Sequence, residues 1–179
     1  MLAWHFLPED RKLRWGMREV VLPGLKLAVP PPLKMCRHGL HAGIRAIDAL
    51  RYAPGPVVCR VELGGEILED EDKCCATERT CVWLADASEV LHRFACWCAE
   101  GALAREREAG REPAAASWAA VQAKRDWLAG KITGQELTAA WKAAMNDAVM
   151  NAAWNAAWYA AKSIQNEELT RVLLLLEGC

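Results

Sequence analysis

The pattern of apolar and polar positions changes period once along the chain, near residue 86. Before that point, short apolar runs alternate with turn formers. Trp4-His5-Phe6-Leu7 reads as an opening strand ended by Pro8. Val20-Val21-Leu22 and residues 25–29 flank Pro23-Gly24, which predicts two short extended pieces joined by a turn. Pro30-Pro31-Pro32 imposes a polyproline stretch and excludes helix there. Ile44, Ile47 and Leu50 are spaced by three, so residues 43–53 are expected to form a short amphipathic helix, stopped by Pro54-Gly55-Pro56. Residues 57–63 make the clearest strand, and Gly64-Gly65 predicts a hairpin turn into a return strand at Glu66-Ile67-Leu68. Residues 69–73 read as an acidic surface loop, and 80–84 as a last short strand.

From Asp86 onward the period is helical. Asp86 with Glu89 resembles a capping box, and Val90, Leu91, Phe94, Trp97 and Cys98 follow at helical spacing to about residue 103. Residues 105–112 are charged and read as a frayed end or a linker. Pro113 suits the first turn of the next helix, which Gly130 closes. Thr133 and Glu136 form a second capping-box signal for the longest helix. The expected fold is therefore α+β. A small mixed or antiparallel sheet with a short helix occupies residues 1–85, and an Ala/Trp-rich helical bundle occupies 86–179, with helices at about 87–103, 114–129, 134–164 and 167–177.

Residues 139–161 carry two apolar stripes side by side. One holds Trp141, Met145 and Tyr159 and the other Trp154 and Trp158, with only a narrow polar line at Asp147, Asn151, Asn155 and Lys162. An arc this wide needs partners on more than one side. The other helices and the sheet can supply them. Alternatively Trp141, Trp154, Trp158 and Tyr159 belong to a protein-binding or self-association surface, since Trp and Tyr dominate interface energetics.

Charge narrows the choice. With 22 basic and 23 acidic residues, the net charge of -1 gives no field directed at nucleic acid. No apolar run approaches the roughly 18–20 residues of a membrane span. Residues 1–15 do not read as a secretory signal, so a cytosolic setting and mostly free thiols are expected for the eight cysteines.

Candidate chemistry is sparse. Cys36-x-His38-x-x-His41 offers possible metal ligands, with Cys74, Cys75 and Cys81 as distant complements. The spacing lacks a CxxC pair or an HExxH, so zinc is disfavoured and hydrogen-bonded histidines beside free thiols are the plainer reading. No GxSxG, P-loop or GxGxxG is present, and residues 69–72 are consecutive acids suited to a solvated loop. No cofactor is expected on these grounds.

Three segments carry a resemblance. They are Cys36-Arg37-His38-Gly39-Leu40-His41-Ala42, Asp48-Ala49-Leu50-Arg51-Tyr52-Ala53-Pro54-Gly55-Pro56 and Cys59-Arg60-Val61-Glu62-Leu63-Gly64-Gly65-Glu66-Ile67. Together they resemble a family of uncharacterised phage and prophage proteins with C-x-x-G-L-H-A-S, D-A-L-x-Y-A-P-G and V-E-L-G-G-E-I segments. Gly43 stands where that pattern has serine. The resemblance spans about residues 1–165 and implies a phage or mobile-element origin, with no activity to transfer. His5, Tyr52 and Glu78 also occur in the order of the histidine, aromatic and glutamate of ADP-ribosyltransferases. That fold-level likeness implies an NAD site in which His5 bonds the ribose, Tyr52 stacks on nicotinamide and Glu78 stabilises the transition state. The leading expectation is an accessory protein that binds a host protein, such as an anti-CRISPR-type inhibitor in the host cytosol. The alternatives are an ADP-ribosyltransferase-like enzyme and a self-associating structural module.

Overall fold

The computed structural model describes residues 1–14, 18–145 and 162–178. Its centre is a hairpin of two 13-residue strands, β4 (Val57–Glu69) and β5 (Cys74–Asp86). The other strands are β1 (Leu2–Leu7), β2 (Lys26–Ala28) and β3 (Leu40–Ala42). β1 pairs antiparallel with β4, while β2 and β3 pair antiparallel with different stretches of the far edge of β5. Just past β3, Gly43 and Trp4 exchange both backbone hydrogen bonds at 2.8 Å. The sheet therefore curls until its β3 side meets β1, leaving an enclosed inner face.

Curvature comes from two register shifts in the β4–β5 ladder, at Arg60/Val61 and at Gly64/Ile67. Gly64-Gly65 is not the expected hairpin turn. Gly65 takes φ +68° inside the strand, Glu66 N–H is caught by Thr77 Oγ1 at 2.9 Å, and the chain continues to Glu69. The chain reverses in the acidic stretch instead, where Asp70 N–H donates to Lys73 C=O. Side-chain capture of the bulged N–H keeps the strand running where sequence alone suggested a break.

The inner face of the sheet holds Ala3, Leu7, Val57, Cys59, Val61, Leu63, Cys74, Ala76 and Cys81, joined by Val21 from the β1–β2 connection. The opposite face is also covered at β1 and β4, where Trp4, Phe6 and Val58 are buried. Trp83 packs edge-on against Trp4 with ring centroids 5.9 Å apart, and the Arg60 guanidinium lies 4.4 Å above the Trp4 ring. Helix α1 (Ala46–Arg51) lies against β1, and Ile47 N–H donates to Asn166 Oδ1 in the C-terminal helix. Strands covered on both faces lose the polar/apolar alternation, which explains the unbroken burial of Cys74-Cys75-Ala76 at the start of β5.

The remaining helices are α2 (Ser88–Glu108), α3 (Ala115–Leu128), α4 (Gly134–Ala144) and α5 (Lys162–Leu174). Asp86 starts α2 by accepting both the N–H and the hydroxyl of Ser88, at 2.8 and 2.6 Å, rather than through a box with Glu89. Pro113 precedes the α3 cap at Ala114 instead of entering the first turn. The Thr133/Glu136 capping box is formed in full. Residues 146–161, the middle of the expected 134–164 helix, lie outside the described residues. The break expected between 164 and 167 does not occur, because α5 runs through it.

The architecture is α+β: an antiparallel sheet followed by helices. Met1–Ser88 together with Asn166–Cys179 form one compact unit, and Glu89–Gln165 form a second. The first boundary falls close to the expected 85/86 division, but the end of the chain groups with the sheet and not with the other helices. In the second unit, Cys96 and Leu103 of α2 pack with Val121 of α3, flanked by Trp118 and Leu128. Among the described residues, no helix is long and apolar enough to cross a membrane.

Candidate functional site

Inside the curled sheet lies a polar cluster that no linear motif announces. His5 on β1 stands opposite Cys59 on β4, and Cys81 of β5 faces the neighbouring Val61. The Cys81 thiol donates to the Trp83 carbonyl at 3.6 Å, and Cys59 and Cys81 influence each other's ionisation. Arg79, two residues before Cys81 and on the same face of β5, is only 4% exposed. It donates to the His41 carbonyl at 2.6 Å, and no ion pair to a carboxylate is formed by it among the described residues. Burial lowers its pKa to about 10, while the adjacent sulfurs of Cys59 and Cys81 favour its charge.

The cationic guanidinium sets the state of its neighbours. Burial and then the Arg79 charge hold the His5 imidazole well below its usual pKa, so it stays neutral. His41 is lowered in the same direction, mainly by burial. The Cys59 thiol is pushed up, first by its interaction with Cys81. Cys81 is lowered, first by its interaction with Cys59 and also by the Arg79 charge. By contrast, desolvation pushes Cys74 up to about 11, and its thiol donates to the Ala42 carbonyl at 3.3 Å.

The sequence-predicted residues are distributed differently. His5 and His41 do meet around Arg79. Tyr52 is 52% exposed, and its hydroxyl donates to Asp72 Oδ2 at 2.7 Å beside Arg51 and Lys73. Glu78 pairs with Lys26 at 2.9 Å on the face opposite to Arg79. The three residues of the ADP-ribosyltransferase likeness are thus engaged with three separate sets of partners. Cys36 is exposed and its backbone N–H donates to His41 Nε2 at 2.9 Å, while His38 Nε2 bonds the Pro30 carbonyl. These ring nitrogens serve the backbone, and among the described residues no three metal-ligating side chains converge. The seven described cysteines carry free thiols.

Of the aromatic candidates, Trp141 is 51% exposed on α4, and Met145, one turn on, is 72% exposed. Trp154, Trp158 and Tyr159 lie outside the described residues. Other tryptophans of this unit are engaged: Trp127 with His92 and the Lys124 ammonium, Trp118 with the Arg107 guanidinium.

The fold and cluster define an α+β protein with a thiol- and guanidinium-lined sheet interior. Over residues 22–93 the chain matches a family described as a domain of unknown function, DUF7666. That span runs from the connection before β2 into α2, and so includes Cys36, Cys59, Arg79 and Cys81 but neither His5 nor Trp141. No curated protein and no solved structure matches the chain.

The linear pattern did not single out Arg79, Cys59 or Cys81 as a group. A signal existed, because Arg79 and Cys81 alternate with Glu78, Thr80 and Val82 and so share one face of a strand. It was obscured because the expected strand began only at residue 80.

Proposed function

We propose that the protein is a binding module for another protein, with the Trp141–Met145 face of α4 as part of its contact surface. The observation that carries this reading is the exposure of two large apolar side chains one helical turn apart. Trp anchors interfaces through its large contact area, and Met adapts to irregular partner surfaces. Helix α4 presents them from a start fixed by the Thr133/Glu136 capping box. Trp154, Trp158 and Tyr159 follow on the same stretch of sequence and are included in the proposed surface.

The partner class comes from the resemblance to phage and prophage proteins, which makes a host protein, including a component of a defence complex, the expected target. The chain then acts by occupancy within the host cytosol and needs no cofactor. Affinity capture of the tagged chain from host lysate, compared with a Trp141→Ala/Met145→Ala variant, tests the reading. A stoichiometric partner of unchanged mass that the variant loses, while melting at the wild-type temperature, supports it. Retention of the same partner by the variant sinks the assignment of this face. Light scattering on the purified chain separates a host partner from a second copy, and a captured protein heavier by ADP-ribose would favour the enzyme reading instead.

A further inference from the structure

Strand β4 outruns the strand beside it. β1 pairs with β4 over residues 57–62, and its last backbone contact is at Leu63, which exchanges hydrogen bonds of 2.7 and 2.8 Å with Met1. β4 itself continues to Glu69. Backbone groups alternate in direction along a strand, so Ile67 and Glu69 point away from β5, as Leu63 does. The turn agrees from the other end. Asp70 N–H donates to Lys73 C=O, which makes Glu69 and Cys74 a pair without direct bonds and aims the Glu69 N–H and C=O outward. Among the described residues no strand pairs with this edge, and residues 65–69 are all exposed. Ile67 and Glu69 therefore each offer a backbone donor and acceptor to an incoming chain.

The side chains say what kind of chain fits. Ile67 shares a face of the sheet with Glu69, and Leu68 shares the other face with Glu66. Asp72 takes the nearby cations, Arg51 and Lys73, at 3.3 and 3.7 Å. Glu66, Glu69, Asp70 and Glu71 have no ion pair among the described residues, so the edge is acidic and uncompensated. We propose that residues 66–69 of β4 are a docking edge for an extended basic segment of a partner protein, which adds to the sheet in line with β1. Backbone bonds to Ile67 and Glu69 hold any extended chain, and the side chains select among them. The matching order is basic-apolar-apolar-basic, which sets Lys or Arg beside Glu66 and Glu69 and apolar side chains beside Ile67 and Leu68. A second copy of this chain is a poor occupant, because edge-to-edge pairing brings two acidic runs together. The edge is separate from the Trp141–Met145 face, and either assignment can fail without the other.

The test is amide exchange followed by NMR on the full-length folded chain, titrated at low salt with the peptide acetyl-TKVVKT-amide. With peptide at about ten times its dissociation constant, exchange at Ile67 and Glu69 should slow about tenfold while the rest of β4 keeps its rates. Added salt should weaken the complex, as pairing with surface carboxylates requires. Methylating alternate peptide nitrogens gives two probes of equal charge. One should lose binding and the other keep it, because a strand edge reads only every second N–H. Ile67→Pro removes an outward N–H and leaves the bonds to β5, and should weaken the peptide on the order of tenfold. Three results overturn the proposal: no slowing at Ile67 and Glu69, equal binding of both methylated probes, or slowing that grows with protein concentration in the absence of peptide. The second would reduce the contact to charge attraction, and the third would give the edge to a second copy. The wild-type titration decides this even where the variant fails to fold.

Discussion

Thr77 Oγ1 accepts the Glu66 N–H at 2.9 Å across the point where β4 steps out of register with β5. The bond depends on the residue beside it. Gly65 has φ +68°, and a Cβ there would stand 2.0 Å from Thr77 Oγ1. Gly65→Ala therefore adds left-handed backbone strain and displaces the hydroxyl that satisfies Glu66. The expected loss is about 2–4 kcal/mol, from about 1–2 for the backbone and the rest from the orphaned N–H. Gly24 is the control, with φ +83° and open space within 4 Å of where a Cβ would stand, so Gly24→Ala should cost only the backbone share. Urea denaturation of both variants decides it, and equal losses would show that the Thr77 contact is immaterial.

The buried His5 makes the sheet unit sensitive to acid. Its folded pKa lies well below 6.5 because of burial and Arg79, whereas the unfolded chain titrates near 6.5. The unfolded state then binds the proton first. Stability is complete above about pH 6.5 and declines as pH falls from there toward the folded pKa. The slope approaches about 1.4 kcal/mol per pH unit for one such group. His41 shifts the same way and adds to the decline. Urea midpoints at pH 7.5 and 5.5 should diverge for the wild type and draw closer in His5→Gln. An unchanged difference in the variant would place the acid sensitivity elsewhere.

Helix α4 begins at a capping box that forms as the sequence predicts, with Glu136 N–H donating to Thr133 Oγ1 and Thr133 N–H to the Glu136 carboxylate. Thr133→Ala removes the side-chain acceptor and should destabilise this helix end by about 1 kcal/mol. Amide exchange should rise across residues 134–138 and stay unchanged in β4 and β5. Because α4 carries Trp141, the same variant should weaken partner capture less than Trp141→Ala does. Equal weakening would mean that helix order, and not the indole, governs binding.

The α+β class and most helix positions were legible because caps and helical spacing are local signals, as at Thr133/Glu136 and in the run from Val90 to Trp97. What the sequence hid was long-range. Gly64-Gly65 has turn chemistry, and only the hydroxyl of Thr77, 11 residues along the chain from Glu66, makes it a bulge. Cys74-Cys75-Ala76 lacks alternation because both faces of β5 are covered there. The interior cluster was legible only as the shared face of Arg79 and Cys81, since His5 and Cys59 come from two other strands and join them only when the sheet forms. Tyr52 and Glu78 looked available for chemistry because their partners, Asp72 and Lys26, stand 20 and 52 positions away.

The end of the chain belongs with the sheet. Leu169 and Leu173, four residues apart on α5, are both fully buried, and Asn166 one turn earlier accepts the Ile47 N–H at 3.2 Å. Leu is among the costliest side chains to truncate in a close-packed core, so Leu169→Ala or Leu173→Ala should destabilise by about 2–5 kcal/mol. Nearby, Glu177 favours the charge of Arg60, whose guanidinium stacks on Trp4. The loss should therefore be felt in β1, α1 and β4. Hydrogen-exchange mass spectrometry locates it, with faster exchange expected in residues 2–7, 46–51 and 57–63 and little change in 115–128. Faster exchange confined to 89–145 would instead show that the last helix stabilises the helical unit, and would reverse the grouping of Asn166–Cys179 with the sheet.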